Sequence, residues 1–222
     1  SFATEKIAMN PDSFSLETRQ QAILFDEVGE RYEIVFGNNP HHADAVKWLL
    51  EHLPSNSHIL DVGSGTGIPT ARMLVDAGHK VTGVDISAKM IEISQRQVPQ
   101  ANFIQADAAN LTFAQGSFHA ITAFFSLLML RRSTIETTIQ KLASMLQSPG
   151  YLVLSMVEGD FDYQEFEFLG QPAHMSAYPR DVITRILKER SFNILDSQVV
   201  KFQPNEQAPP ETQLFFLCQY QS

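Results

Sequence analysis

The chain is poor in cysteine and in basic residues. Its 222 residues include one cysteine, Cys218, so neither an intrachain disulfide nor a metal site built from several cysteines can form. Lys and Arg number 16 against 25 Asp and Glu, which leaves a formal net charge of −9. Proteins that follow phosphate backbones or anionic lipid surfaces need the opposite sign, so we expect no nucleic acid and no membrane among the partners. The scarcity of cysteine favours a reducing compartment, and we expect a cytoplasmic protein.

Long apolar runs are also missing from the sequence. No stretch approaches the roughly 18 residues that indicate a membrane-spanning helix. The first residues, SFATEKIAMNPDSF, lack the basic and then apolar order of a signal peptide. Hydrophobic residues make up 44% and charged residues 18%, which is typical of a globular chain with a core of its own.

Strand and helix patterns alternate through the middle of the chain. Apolar runs predict five strands, at 58–62, 80–85, 102–107, 118–125 and 151–157. Helical periodicities separate most of these runs, for example at 67–77, and this alternation predicts a parallel sheet with helices on both faces. Two more strand patterns, at about 193–203 and 212–220, have too short a connection for a crossover helix, so they should pair antiparallel.

The most informative segment is ILDVGSGTG at 59–67, in which a predicted strand runs into a glycine-rich turn before a helix. Glycines permit a sharp turn and a close approach of the backbone to a ligand. A turn at the carboxyl end of a strand also lies where open α/β sheets bind their ligands. The turn itself comprises Gly63, Ser64, Gly65, Thr66 and Gly67.

Three kinds of ligand are compatible with a glycine-rich turn. A dinucleotide fingerprint needs a third glycine at position 68, which is Ile68, and Asp61 would repel a pyrophosphate. A P-loop needs a Lys-Ser/Thr ending, which is missing here. A cationic nucleoside without phosphate groups suits Asp61.

Three predicted neighbouring strands end in or beside an aspartate. Asp61 precedes the glycines, Asp85 ends VTGVD, and Asp107 lies in QADAANL. Single aspartates commonly cap helices and turns, but three of them around one glycine-rich turn indicate a ligand site. In this layout Asp85 is placed to accept hydrogen bonds from ribose hydroxyls.

These segments resemble the motifs of class I S-adenosylmethionine-dependent methyltransferases. The first motif matches LDVGSGTG, the second VTGVDISAKMI and the third FIQADAANL, while LQSPGYLVLS resembles the segment that leads into the fifth strand. The resemblance runs from about residue 25 to the end. It implies an enzyme that uses S-adenosyl-L-methionine to methylate a small molecule.

The resemblance also implies a fold and a division of the chain. The expected fold is α/β, a Rossmann-like three-layer sandwich with a seven-stranded, mostly parallel sheet and an antiparallel C-terminal strand. The expected parts of this single domain are an N-terminal helical cap (1–56), a cofactor-binding core (57–157), a substrate lid insertion (158–180), and a C-terminal helix with a β-hairpin (181–222).

The resemblance further implies roles for individual residues toward the cofactor. Asp61 would face the amino group of its methionine part, Asp85 would hold the ribose, and Asp107 would accept from the adenine amine. The full set implied for cofactor binding is Tyr32, Asp61, Gly63, Ser64, Gly65, Thr66, Gly67, Asp85, Ile86, Met90, Asp107, Ala108 and Phe124.

The methyl acceptor is less well specified by the sequence. The aromatic residues of segment 159–178 suit an apolar or aromatic molecule, and we hypothesise that His174 or Tyr178 contacts it. Asp160 and Asp162 are expected in a solvated acidic loop rather than in a metal site. Small-molecule members often carry histidine where this chain has Met129, so a residue that handles protons elsewhere in the family is missing here.

Two functions remain open on the sequence alone. The first is methyl transfer to a small molecule by a monomer or homodimer. The alternative is a methyltransferase-like protein that binds the cofactor but catalyses a rearrangement or cyclisation, or serves as a regulatory subunit. The segment AFFSL after the fourth strand lacks the Asn/Asp-Pro-Pro-aromatic tetrad of DNA amino-methylating enzymes, which again argues against nucleic acid.

Overall fold

The structure is a computed structural model, and it describes residues 10–203, 206 and 209–222. Residues 1–9 of the expected N-terminal cap lie outside the described residues. The strands are β1 (His58–Val62), β2 (Lys80–Asp85), β3 (Asn102–Gln105), β4 (Phe118–Phe124), β5 (Leu146–Val157), β6 (Phe161–Phe168), β7 (Gln171–Ala177), β8 (Phe192–Phe202) and β9 (Glu211–Tyr220). The α-helices are α1 (Leu16–Val28), α2 (Arg31–Phe36), α3 (Pro40–His52), α4 (Thr70–Asp76), α5 (Ala88–Gln97), α6 (Arg132–Met145) and α7 (Arg180–Glu189).

Seven of these strands form one sheet in the spatial order β3-β2-β1-β4-β5-β9-β8. The first five run parallel, while β9 runs antiparallel between β5 and β8. The predicted fold is therefore confirmed, including the antiparallel pairing of the last two strands. Reversal of β9 brings its first residues to the edge of the sheet where the parallel strands end.

The sheet is buried on both faces, as its apolar strands predict. Successive side chains of a strand point to opposite faces. In β5, Leu152 and Leu154 belong to the core that α6 and α7 cover, whereas Val153 belongs to the core under α3 and α4. On that second face Val46 and Leu49 of α3 are fully buried. The packing of α3 carries the start of this helix to the same sheet edge.

Three segments differ from the predicted elements. The helix expected over 67–77 begins at Thr70, because Gly67 has a φ of +83° and Pro69 acts as the N-cap. The strand expected over 151–157 begins earlier, at Leu146, and its register with β4 shifts near its start. Segment 159–178 contains a two-stranded antiparallel sheet, β6 with β7, which stands apart from the main sheet.

Candidate active site

A cavity of about 440 Å³ lies at the carboxyl ends of the parallel strands. Its wall includes residues that follow β1, β2, β3 and β4, so it is the crevice at which the sequence places a ligand. Further wall residues come from α1, α2, the start of α3, the β6–β7 hairpin and the start of β9. The cavity therefore joins segments that are far apart in the sequence.

Four amide groups of the glycine-rich turn are bonded within the protein. The N–H groups of Gly63 and Ser64 donate to the carbonyl of Val84 at 2.8 and 3.0 Å. Gly65 N donates to Oδ2 of Asp85 at 2.9 Å, and Gly67 N donates to the carbonyl of Ser64 at 3.0 Å. A phosphate cradle needs amides that point at the ligand. This turn uses them to hold its own shape and the Asp85 carboxylate.

Two of the glycines are required for different reasons. Gly63 has a φ of +70°, and a Cβ atom on it would lie 2.3 Å from Cβ of Ser126, so no larger residue fits there. Gly65 has a φ of +53° with nothing within 4 Å of such a Cβ, and it lies on the cavity wall. The conformation of Gly65 favours glycine, and its missing side chain leaves the wall open to a ligand.

Asp85 is held at the end of β2 by backbone amides. Its Oδ2 accepts from Gly65 N and its Oδ1 accepts from Ser87 N, both at 2.9 Å. Burial raises its pKa from 3.8 to about 6, and the hydrogen bonds from Ser87 and Gly65 act in the opposite direction. Asp85 lies on the cavity wall beside Ile86 and Met90, which places a fixed carboxylate next to apolar surface.

Asp61 is more deeply buried than Asp85. Its side chain is only 2% exposed, and its Oδ1 accepts a hydrogen bond from Thr122 Oγ1 at 2.8 Å. Burial raises its pKa from 3.8 to about 7, and the bond from Thr122 acts against that rise. The described residues that line the cavity do not include four members of the motif, which therefore lie behind the wall: Asp61, Ser64, Thr66 and Gly67. Any influence of Asp61 on a ligand is therefore electrostatic or relayed through the turn.

Asp107 makes structural hydrogen bonds and also lines the cavity. Its Oδ1 caps the short 3₁₀ helix Ala108–Asn110 by accepting from Ala109 N at 2.9 Å. Its Oδ2 accepts from Asn110 Nδ2 at 2.9 Å and from Thr18 Oγ1 of α1 at 3.2 Å. Asp107 and Ala108 both lie on the cavity wall. The contact with Thr18 ties α1 to the sheet edge and closes that side of the cavity.

The other end of the cavity is aromatic. Phe168 of the hairpin packs against Phe36 with ring centroids 5.6 Å apart, and against Phe25 at 5.9 Å. Tyr32 lies 5.1 Å from Phe36 and 6.4 Å from Phe168. Burial raises the pKa of the Tyr32 phenol to about 12, and the charges of Asp85 and Glu211 contribute to the rise. The aromatic end therefore adjoins the carboxylate end.

The charge on the wall distinguishes between the possible ligands. Five carboxylic residues line the cavity, and the described part of the wall contains neither Lys nor Arg. A ligand with phosphates would meet uncompensated negative charge, whereas a cationic ligand would be favoured. The five residues are Glu33, Asp85, Asp107, Glu167 and Glu211.

Comparison with known proteins agrees with this geometry. A family model described as a methyltransferase domain matches residues 59–150, which include the glycine-rich turn and all three aspartates. Over these residues the chain is thus similar to a methyltransferase domain. S-adenosylmethionine fits the wall of this domain in charge, because it carries a sulfonium and an ammonium group and no phosphate.

Several named proteins are similar to this chain in sequence. A demethylmenaquinone methyltransferase of Chlorobaculum parvum is 41% identical over 158 residues, which cover 60% of this chain and 65% of the relative. The chain spans between 22% and 58% of the length of the first five curated relatives it matches. These matches are therefore partial in length.

Solved structures share the fold of the methyltransferase domain. Magnesium protoporphyrin IX methyltransferase from Synechocystis has a TM-score of 0.71 at 19% identity, with 92% of this chain and 99% of that chain covered. The [4+2]-cyclase SpnF has a TM-score of 0.70 at 20% identity, with 92% and 96% covered. At this identity the likeness concerns the fold alone.

His174 and Tyr178 lie away from the cavity of the methyltransferase domain. The His174 ring stacks on Tyr163 with centroids 4.6 Å apart, and neither belongs to the described cavity wall. Tyr178 is 3% exposed and its hydroxyl donates to the carbonyl of Arg132 at 3.0 Å. Burial raises the pKa of this phenol, and the neighbouring charge of Glu136 contributes. The hypothesis that His174 or Tyr178 contacts the acceptor therefore has no geometric support.

His42 lies on the cavity wall, although it is not among the site residues expected from the sequence. Its ring stacks on Phe124 with centroids 3.8 Å apart, and its Nε2 lies 2.7 Å from Oγ1 of Thr70. Burial lowers its pKa from 6.5 to about 3, so the ring is neutral at physiological pH. The only local signal was the Asn-Pro-His-His start of a helix before the core, and the packing of α3 on the sheet brings it into the cavity.

Two acidic residues of segment 159–178 contact Arg132. Asp160 pairs with Arg132 at 2.7 Å, and Asp162 accepts from Arg132 N at 2.9 Å. Across the described ranges there is no group of three or more His, Cys, Asp or Glu side chains arranged to hold a metal ion. Within the same ranges no helix is long and apolar enough to cross a membrane.

Proposed function

We propose that this protein transfers a methyl group from S-adenosylmethionine to a small, apolar or aromatic metabolite in the cytoplasm. One observation carries the proposal: a single cavity joins a carboxylate-lined end at the strand termini to a cluster of aromatic rings. S-adenosylmethionine, when bound, supplies a methyl group made electrophilic by its sulfonium. The chain's task is then to hold the cofactor, to orient the acceptor and to exclude water.

The carboxylate end is proposed to hold the cofactor. Asp85, fixed by two backbone amides, would accept from the ribose hydroxyls, and the backbone around Gly63 and Gly65 would border the methionine part. Asp61 would favour the ammonium through its charge behind the turn. The apolar and polar residues proposed to surround the adenine are Ile86, Met90, Asp107 and Ala108, while Tyr32 and Phe124 would border the sulfonium.

The aromatic end is proposed to hold the acceptor. Rings from three elements converge there: Phe25 from α1, Tyr32 and Phe36 from α2, and Phe166 and Phe168 from the hairpin. Such a wall favours a flat apolar ligand, with each ring contributing to burial and stacking. The Chlorobaculum relative is named for methylation of a small molecule, demethylmenaquinone, which supports a small-molecule acceptor here.

The test begins with the cofactor. We expect titration calorimetry to show binding of S-adenosylhomocysteine to the wild-type chain. Asp85→Asn should weaken it about ten- to a hundredfold, as for the loss of a hydrogen bond to a charged group worth about 1–3 kcal/mol. Asp44→Asn is the matched control, because Asp44 lies on the surface with its side chain 56% exposed. Unchanged affinity in Asp85→Asn would refute the proposed position of the ribose.

Turnover is tested separately from binding. Incubation with S-adenosylmethionine and a panel of aromatic metabolites should yield a product heavier by one methyl group, detected by mass spectrometry. Consumption of an acceptor without that mass gain would instead support the cyclase or rearrangement alternative. The named sequence relatives favour methyl transfer, while SpnF shares only the fold.

A further inference from the structure

Three polar side chains form a hydrogen-bonded row on one wall of the cavity. Asn39 Nδ2 donates to Oε1 of Gln213 at 2.7 Å, and Gln213 Nε2 donates to Oε1 of Glu211 at 2.8 Å. All three residues line the cavity. Asn39 and Gln213 are 6% and 2% exposed, so the row is largely shielded from bulk water.

The direction of this row is set by the helix that begins beside it. Oδ1 of Asn39 accepts from His41 N at 3.1 Å as the N-cap of α3, and a backbone N–H can only donate. The Asn39 amide must therefore turn its Nδ2 toward Gln213, whose oxygen then faces Asn39 and whose nitrogen faces Glu211. The row thus ends on a carboxylate oxygen that acts as an acceptor, which favours the ionised form of Glu211.

The fold explains how a carboxylate reaches this wall. Because β9 runs antiparallel to β5, its first residues lie at the edge of the sheet where the cavity opens. Glu211 and Gln213 are two positions apart, so they point to the same face. Phe215, on that face, packs with Val46 and Leu49 of α3, the helix that Asn39 caps.

Most other ionisable groups of the wall are already engaged. Asp85 and Asp107 accept bonds from backbone amides, and Glu33 accepts from Gln97 Nε2 at 3.0 Å. His42 is hydrogen-bonded to Thr70 and neutral, while Glu167 lies on the exposed face of the hairpin. Glu33 and Glu211 are both partly buried, and each has one carboxylate oxygen to which no described residue donates. Glu211 differs from Glu33 because it ends the row of Asn39 and Gln213, which fixes the orientation of its carboxylate and leaves Oε2 available.

We propose that Oε2 of Glu211 binds and deprotonates a hydroxyl group of the acceptor, and that the acceptor is therefore an aromatic or apolar molecule with an ionisable hydroxyl. The inference rests on the proposed methyl-transfer function. In this step the acceptor O–H bond breaks, an O–H bond forms at Oε2, and the electron pair stays on the acceptor oxygen, which becomes the nucleophile. Burial raises the pKa of Glu211, which makes its carboxylate a stronger proton acceptor.

The location of Glu211 suits this role. Tyr32, Asp85 and Glu211 line the same cavity, and both carboxylates are close enough to Tyr32 for their charges to raise the pKa of its phenol. The aromatic rings around Tyr32 would hold the body of the acceptor while Glu211 holds its hydroxyl. One polar anchor in an apolar site orients a ligand, because burying that anchor without a partner is unfavourable.

The test uses two naphthalene probes and an isosteric variant. With the protein saturated with S-adenosylhomocysteine, the binding of 1-naphthol and of 1-methoxynaphthalene, which has no hydroxyl donor, is measured by calorimetry. We expect Glu211→Gln to weaken 1-naphthol about tenfold and to leave 1-methoxynaphthalene within about twofold. Glu51→Gln, on the exposed surface of α3, is the matched control and should change neither probe.

A second variant tests the row itself. Asn39→Asp keeps the oxygen that caps α3 but removes the donor that faces Gln213, so the Gln213 amide should turn and present its oxygen to Glu211. We expect weaker 1-naphthol binding, about threefold or more, with the thermal unfolding of the variant still cooperative. If Glu211→Gln fails to fold, the effect of Asn39→Asp on 1-naphthol binding tests the proposed role of Glu211 instead.

The outcomes separate this inference from the proposed function. If S-adenosylhomocysteine does not bind the wild-type chain, the proposed function fails. If it binds, and Glu211→Gln changes both probes equally or neither, the role of Glu211 is overturned. Failure of the wild-type complex to bind 1-naphthol overturns the proposed acceptor class, while the cofactor result still stands.

Discussion

Because Asp61 is buried, we expect its negative charge behind the glycine-rich turn to lower the free energy of unfolding of this protein. The carboxyl group is 2% exposed and has one side-chain hydrogen-bond partner, Thr122, at 2.8 Å. Replacement by asparagine keeps the shape and an oxygen that accepts from Thr122, but removes the charge. We therefore expect Asp61→Asn to be more stable than the wild-type chain at pH 8 in the absence of ligand, because a buried charge lacking an opposite partner is unfavourable.

The magnitude follows from the pKa of the folded state. Burial raises the pKa of Asp61 from 3.8 to about 7, so between these values the folded chain binds a proton that the unfolded chain has lost. The stability that Asp61 contributes is thus fully present below pH 3.8 and is lost as the pH rises through about 7. The full loss corresponds to about 4 kcal/mol, and about 3 kcal/mol of it falls between pH 5 and pH 8.

The assay is urea unfolding of both chains between pH 5 and pH 8.5 without ligand. The free energy of unfolding of Asp61→Asn minus that of the wild type should grow by about 3 kcal/mol over this range. Asp85 titrates in both chains, so its contribution cancels in the difference except for its charge interaction with Asp61, which is lost in the variant. Asp44→Asn serves as the control and should show a difference within about 0.5 kcal/mol at every pH, as expected for an exposed site. A difference between Asp61→Asn and wild type that is independent of pH would refute the reasoning.

Two further predictions concern the local geometry of the site. Gly63→Ala should destabilise the chain by about 3 kcal/mol or more in urea unfolding, because the new Cβ would lie 2.3 Å from Ser126 and the residue would also have a positive φ. Gly65→Ala should cost only about 1–2 kcal/mol, because it has the strain of a positive φ but no collision. Equal losses in the two variants would contradict the packing described for Gly63. Ser87→Ala should cost about 1–2 kcal/mol, measured in the same way, because Ser87 Oγ caps α5 by accepting from Met90 N at 3.0 Å. An unchanged midpoint would mean that this cap is dispensable.

The carboxylate-lined end of the cavity could be located from the sequence because its determinants are local. The turn, the strand before it and the aspartates at strand ends are each visible within about ten residues, and the parallel order of the strands brings the aspartates to one edge. Asp85 and Asp107 accordingly lie on the cavity wall. The burial of Asp61 behind that wall was not predictable, since exposure depends on the elements packed around a strand end.

The end of the cavity that is proposed to hold the acceptor could not be predicted in the same way. Asn39 and Gln213 are 174 positions apart, and only the reversal of β9 and the packing of α3 bring them together. His174 and Tyr178 belong to a segment with the right composition, yet the alternation of the β6–β7 hairpin turns other residues, such as Phe166 and Phe168, toward the cavity. Composition indicates that a segment is near a site, but strand register decides which side chains reach it.

The cavity draws its two ends from separate stretches of the chain. The proposed cofactor residues lie mainly between 61 and 108, whereas the proposed acceptor residues come from before 43 and after 157. Under the proposed function, a change in the flanking stretches would alter which acceptor is methylated while the central stretch keeps its sequence. Chimeras that exchange only α1–α3, the hairpin and the start of β9 with a relative are therefore expected to change acceptor specificity without changing cofactor binding.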